Sequence, residues 1–202
     1  MTVLVTVTGR CVCLAGRRCR RVVRVPDAVV IPGRLYGPGV PLLMYSGDVA
    51  QRRGARVHRH FWSQEPPKRF GPDVEGWVCG EVAPLLDSVD SRALVIGKSL
   101  ATNAAALAAE RSLPAVWLTP LLNVPWVVAA LGRASAPLLL VGGTADPAWD
   151  GALARSLSPH VFELDGADHG MYVAGPLTDS ITLLGQVVTA VEEFLDMIGW
   201  AR

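Results

Sequence analysis

The sequence lacks any apolar run of the roughly 18–20 residues that a bilayer-spanning helix needs. Its first apolar run, residues 1–7, has neither a basic stretch before it nor a small-residue cleavage site after it. A cytoplasmic chain with no membrane partner is the expectation. Cysteine is sparse: Cys11, Cys13 and Cys19 cluster, and Cys79 stands apart. No C-x-x-C occurs and no histidine lies near the cluster, which argues against a zinc site and for reduced, mostly buried thiols. The arginine-rich run at residues 17–21 has no aromatic residue interleaved to stack on bases, so a nucleic-acid partner is not expected. A strand edge protected by its charge is the simpler reading.

What remains is 202 residues, half of them apolar. That is enough for one domain with a sizeable core and short of what two usually need. A single domain over residues 1–202 is expected, with edge strands in residues 1–25 and a core from 28 onward. The net charge of +1 conceals an asymmetry: residues 1–70 carry 13 basic side chains against 3 acidic, and the rest 6 against 15. Gathered on one face, the basic residues would attract an acidic acyl-carrier protein or a coenzyme A tail. Interleaved with the acidic half they would simply be neutralised.

The fully apolar run at residues 28–31 reads as a central strand covered on both faces, residues 93–96, 115–118 and 137–141 read as further core strands, and residues 160–164 read as the last strand. Residues 55–62 alternate and read as a further strand, with His58 and His60 on one face. No third ligand lies near those two histidines, so edge or surface positions are expected rather than a metal pair. Helical periods follow from Pro41, over residues 73–89, after Ala101, over 126–131, near 148–157 and over about 180–198. Strand and helix therefore alternate. That pattern predicts an α/β fold: a mostly parallel central sheet with helices on both faces, joined by right-handed crossovers.

Gly97-Lys98-Ser99-Leu100-Ala101 joins one core strand to its helix. A serine between small residues at such a junction suits a sharp turn that holds its hydroxyl exposed, although a serine there is also a favoured helix cap. Asp146 and His169 likewise lie just past the carboxyl ends of core strands, the edge at which open α/β sheets bind ligands. A serine hydroxyl is a poor nucleophile without a base. His169 would take its proton, and Asp146 would hold the imidazole and stabilise the cation that forms. Asp168, adjacent to His169, and Asp150 are rival acids, and His160 is read as structural. The developing oxyanion would be met by the backbone N–H of Leu100 and by one from the Gly- and Pro-rich loop at 32–39, at Arg34 or Leu35. Lys98 and Tyr36 are candidate substrate contacts. Lys98 is expected at the site mouth, meeting an anionic group or simply solvated.

The order Ser99, Asp146, His169 resembles that of the α/β hydrolases. The resemblance runs from about Ala28 onward and rests on Val30-Ile31-Pro32-Gly33, Gly97-Lys98-Ser99-Leu100-Ala101, Gly142-Gly143-Thr144-Ala145-Asp146-Pro147 and Gly166-Ala167-Asp168-His169-Gly170. It implies Ser-His-Asp acyl transfer from an ester or thioester without metal or organic cofactor. Two departures stand out. The last elbow glycine is Ala101, and only residues 120–136 occupy the place where larger members insert a lid. Small lidless relatives that the chain resembles include acyltransferases of thiopeptide antibiotic pathways, which implies a carrier-protein donor. A hydrolase or thioesterase, an acyltransferase and a non-catalytic binding protein of the same fold are the three classes left open.

Overall fold

The computed structural model describes residues 25–68, 71 and 73–201. The N-terminal edge strands, the three-cysteine cluster and the arginine-rich run expected from the sequence lie outside the described residues. Among the described residues six strands form one sheet: β1 (Asp27–Ile31), β2 (Arg56–Arg59), β3 (Leu94–Lys98), β4 (Ala115–Leu118), β5 (Leu138–Gly143) and β6 (His160–Leu164). Their order is β2-β1-β3-β4-β5-β6, and every neighbouring pair is parallel. The helices between them are α1 (Pro41–Arg52), α2 (Asp73–Ser88), α3 (Ala105–Glu110), α4 (Pro125–Leu131), α5 (Gly151–Leu157) and α6 (Leu177–Met197).

The largely apolar sequences of β1, β3, β4 and β5 follow from burial on both faces, whereas the edge strands β2 and β6 are partly exposed and carry Arg56, His58, Arg59, His160 and Glu163. Val29, Ile31, Val95, Trp117 and Leu140 point to the side packed by α2, α3, α4 and α5. Ala28, Val30, Ile96, Val116, Val141 and their neighbours point to the side covered by α1 and α6. Each fully buried Val, Leu or Ile contributes on the order of 1.5–3 kcal/mol relative to exposure. α6 closes that second face with Leu183, Val187, Val191, Phe194 and Leu195.

The strand expected over residues 55–62 is shorter than its pattern, ending at Arg59. Past Arg59 one further main-chain bond holds the edge, His60 N–H to the Val30 carbonyl at 2.9 Å, and the chain then leaves the sheet with His60 and Trp62 packed edge to face, ring centroids 4.8 Å apart. His58 and His60 consequently have different partners. His58 Nε2 bonds Asp27 Oδ1 at 2.8 Å, whereas His60 lies 3.8 Å from Glu81. Among the described residues no three His, Cys, Asp or Glu side chains group closely enough to hold a metal, and no helix is long and apolar enough to cross a membrane.

Strand order reverses direction between β1 and β3: the chain runs outward from β1 to β2, then returns across β1 to β3 and proceeds the other way. Such a switch point opens a crevice at the carboxyl ends of the two strands. The loops that follow β1 and β3 are the ones carrying Gly33 and Ser99.

Candidate active site

Ser99 leaves β3 with a φ of +54°, in the left-handed region that non-glycine residues seldom occupy. It begins a 3-10 turn, Ser99–Ala104, that leads into α3. The turn is tight enough to need a residue without Cβ beside it. A methyl on Gly97 would stand 2.6 Å from the Trp117 ring and 2.9 Å from Ala101 Cβ. Ala101 is itself fully buried, so the small residue at that position fits the space available. Below the turn, Asn103 accepts from Trp126 Nε1 at 2.8 Å and donates to the Leu100 carbonyl at 2.8 Å, which fastens the elbow to α4.

The sheet edge brings three of the sequence-derived residues together. Asp146 Oδ2 lies 2.7 Å from His169 Nδ1, and His169 Nε2 lies 2.7 Å from Ser99 Oγ. A carboxylate can only accept, so Nδ1 carries the proton and Nε2 is left to accept from the serine hydroxyl. The Asp146 side chain is wholly buried and the His169 side chain is 38% exposed. Asp146 Oδ1 is held separately by the Ala148 N–H at 2.9 Å. The rival acids are committed elsewhere. Asp168 Oδ1 accepts from the N–H groups of Gly170 and Tyr172, and Asp150 caps α5 by accepting from Leu153 N–H. His160 packs edge-on against Phe194, as a structural residue does.

The loops bearing the acid and the base pack closely. Ala145 N–H donates to the Ala167 carbonyl at 3.1 Å, and a Cβ on Gly143 would lie 2.2 Å from that same oxygen. On the other side of Ser99, the Gly33 N–H donates to the Tyr36 carbonyl at 3.0 Å, closing a turn whose Gly33 sits against Ser99. Trp62 Nε1 donates to the Gly33 carbonyl at 3.0 Å. Among the described residues the backbone N–H groups of Arg34 and Leu35 have no hydrogen-bond acceptor. Leu100 is the second residue of the 3-10 turn, where an N–H has no acceptor within the helix. Trp62 and Thr119 are absent from the sequence-derived site. Thr119 had a usable signal, since it too follows directly on the carboxyl end of a core strand.

Lys98 corrects the expectation of a lysine at the mouth. It is 2% exposed, and its Nζ donates to Thr119 Oγ1 and to the His169 carbonyl, each at 2.8 Å. A side chain that close to the end of a central strand is turned under the site by the strand's alternation, and the loops of its neighbours close over it. Burial pushes its pKa down to about 8, against the pull of Asp146 and Asp168. Tyr36 lies 4.8 Å from the same ammonium, ring centroid to nitrogen, and burial raises its pKa.

Tyr36 also borders a small cavity of about 130 Å³ whose lining includes Leu42, Met171, Tyr172 and Ile181. Around it the rim is apolar and open: Leu177 is 64% exposed, Ile181 59% and Tyr172 55%. A larger concavity, about 520 Å³, lies between Pro26, Gly54, Asp90 and Trp200 and contains none of these residues. Between β4 and α4 only residues 119–124 intervene, so no inserted lid covers the site from that connection.

No protein-family model and no curated protein sequence matches this chain. Solved structures do match its fold. Est1E from Butyrivibrio proteoclasticus, in a structure with ferulic acid bound, superposes with a TM-score of 0.63 at 15% identity, covering 85% of this chain and 88% of that one. Alpha/beta hydrolase domain-containing protein 10 from mouse gives 0.60 at 13% identity over 87% and 91%. The Pyrococcus furiosus esterase Pf2001 gives 0.57 at 12% identity over 85% and 82%. The fold is that of the α/β hydrolases, in a small form with, among the described residues, a six-stranded parallel sheet and six α-helices.

Proposed function

We propose that this protein is a serine-nucleophile acyl-transfer enzyme acting on an ester or thioester. The observation that carries the reading is the unbroken hydrogen-bonded chain from Ser99 Oγ through His169 to buried Asp146. Ser99 Oγ attacks the carbonyl carbon as His169 Nε2 takes its proton, and Asp146 stabilises the imidazolium that forms. The N–H of Leu100, with those of Arg34 and Leu35, receives the oxyanion; one such donor is worth about 3–4 kcal/mol in the transition state. His169 then returns the proton to the departing alcohol or thiol as its bond to the acyl carbon breaks. The same Nε2 activates the nucleophile that discharges the acyl-enzyme. No step calls on a metal or organic cofactor.

The receiving nucleophile is water in the first reading. A second reading, transfer to an amine or alcohol with a carrier protein as donor, is supported by the exposed apolar rim and the short β4–α4 connection, which suit a substrate presented from outside. Two arginines of the basic first third lend it nothing, since Arg53 pairs with Asp196 and Arg59 with Asp48. Ferulic acid is bound to Est1E, so esters of small aromatic acids are the first substrates to try. A fluorophosphonate probe separates all of these from a non-catalytic binding protein. Wild type is expected to label at Ser99 and Ser99→Ala not at all; an unlabelled wild type removes both enzyme readings. Decay of a trapped acyl-enzyme with and without amine or alcohol acceptors then distinguishes hydrolysis from transfer.

A further inference from the structure

Lys98 is one of two lysines in the chain, the other being Lys68. It immediately precedes Ser99, and its ammonium is in contact with three separate loops. Thr119 Oγ1 belongs to the loop after β4, the His169 carbonyl to the loop after β6, and the Tyr36 ring to the loop after β1. An ammonium has three protons to place and no lone pair. Two go to the oxygens at 2.8 Å, and the ring face takes the electrostatic attraction of what remains. Filling this space would need only a methionine or leucine, because burying a charge is costly. Burial outweighs the pull of the Asp146 and Asp168 carboxylates, which offset that cost only in part.

We propose that Lys98 is a positioning residue of the acyl-transfer site: from beneath Ser99 it fixes the main chain of His169 and the turn at residues 33–36 relative to the nucleophile. The proposal rests on the acyl-transfer reading. Asp146 sets the rotation of the imidazole, and Lys98 sets where the backbone of that imidazole stands. Thr119, with a φ of +43° and no exposure, is held in a conformation few non-glycine residues adopt, and its hydroxyl is one of the lysine's two oxygen partners.

The charged and titratable groups facing the ammonium are Asp146, Asp168 and Tyr36; His169 meets it through its main-chain carbonyl. Tyr36, with its pKa raised, stays a neutral phenol through the range in which Lys98 gives up its proton, about pH 8. Above that pH the amine keeps hydrogens to donate but loses its attraction to the ring and to Asp146.

The test needs no known substrate. Fluorophosphonate inactivation yields a binding constant and a maximal rate constant separately, and the labelled fraction counts folded sites. For Lys98→Met the expected result is full labelling, an unchanged binding constant and a rate constant about 100-fold lower, the scale of a misplacement near 1 Å. Wild type should show an alkaline fall in that rate constant near pH 8 that Lys98→Met lacks. Thr119→Val, which keeps the lysine and removes one acceptor, should lose about 10-fold and decides the matter if Lys98→Met does not fold. Equal rate constants in wild type and Lys98→Met overturn the proposal. So does a loss confined to the labelled fraction, so does an alkaline fall that Lys98→Met retains, and so does Thr119→Val with wild-type kinetics. A wild type that takes up no probe overturns the acyl-transfer reading and this proposal with it.

Discussion

Trp62 Nε1 donates to the carbonyl oxygen of Gly33 at 3.0 Å, so the turn that faces Ser99 is anchored by a residue just beyond the β2 edge. Trp62 is itself wedged between His60 and Trp77, with centroids at 4.8 and 5.1 Å. Trp62→Phe keeps that packing and removes the donor. Its expected effect is a roughly 10-fold fall in kcat for a p-nitrophenyl ester with KM little changed, because the proposed oxyanion donors are loosened rather than removed. A rise in KM at constant kcat would contradict the role given to the turn.

Asp146 and Asp168 are separated by substitution with asparagine. Asp146→Asn removes the acceptor that fixes the His169 tautomer, and kcat should fall by about 10⁴-fold. Asp168→Asn leaves the imidazole partner in place and should cost less than about 10-fold. Steady-state kinetics on the two variants, side by side, check the assignment.

Gly143→Ala tests the close approach of the acid and base loops. The new methyl would meet the Ala167 carbonyl oxygen at 2.2 Å, a main-chain atom that no rotamer change can move aside. Overpacking of this kind costs about 1–3 kcal/mol. Thermal unfolding should show a Tm several degrees below wild type, accompanied by a loss of activity greater than stability alone explains.

Asp27 gives a pH-dependent contribution to stability. Burial alone would raise its pKa, but hydrogen bonds from His58 and from the Asp90 N–H outweigh it and hold the carboxyl below its ordinary value. A carboxylate of lower pKa in the folded state stabilises fully above its unfolded pKa of about 4 and loses that contribution as pH falls through the folded value. Urea unfolding of wild type and Asp27→Asn should therefore differ by about 1–2 kcal/mol at pH 7. The gap should close as pH is lowered below about 4.

Cys79 should resist alkylation in the native protein. Burial pushes its thiol up to about 11, so little of the reactive thiolate exists at pH 8. Peptide mapping after brief iodoacetamide treatment should find Cys79 unmodified until denaturant is added.

The parallel sheet was legible because strands buried on both faces must be apolar throughout, and residues 28–31 and 115–118 read that way without ambiguity, whereas 160–164, at the sheet edge, keeps His160 and Glu163 and was placed by its position in the alternation of strand and helix. Ser99, Asp146 and His169 were legible for a related reason: Ser99 directly follows β3, and Asp146 and His169 lie in the loops after β5 and β6, so topology carries all three to one edge. Lys98 was not. Its burial depends on Thr119, Tyr36 and the His169 carbonyl closing over it from three loops, and no local pattern encodes a meeting of segments that distant. The early end of β2 escaped for a similar cause, since the alternation of residues 55–62 continues past the point where His60 and Trp62 turn to pack on each other.

The brevity of residues 119–124 bears on the fate of the acylated serine that the proposed reaction would form. With so little chain between β4 and α4, nothing from that side has to open before solvent arrives, and the covalent intermediate is a species in open competition. Its partition ratio is then set by how long an acceptor stays lodged beside His169 against the steady arrival of water. In such a site hydrolysis is the default outcome, and transfer requires an acceptor whose own residence supplies the effective concentration that a closing lid would otherwise provide.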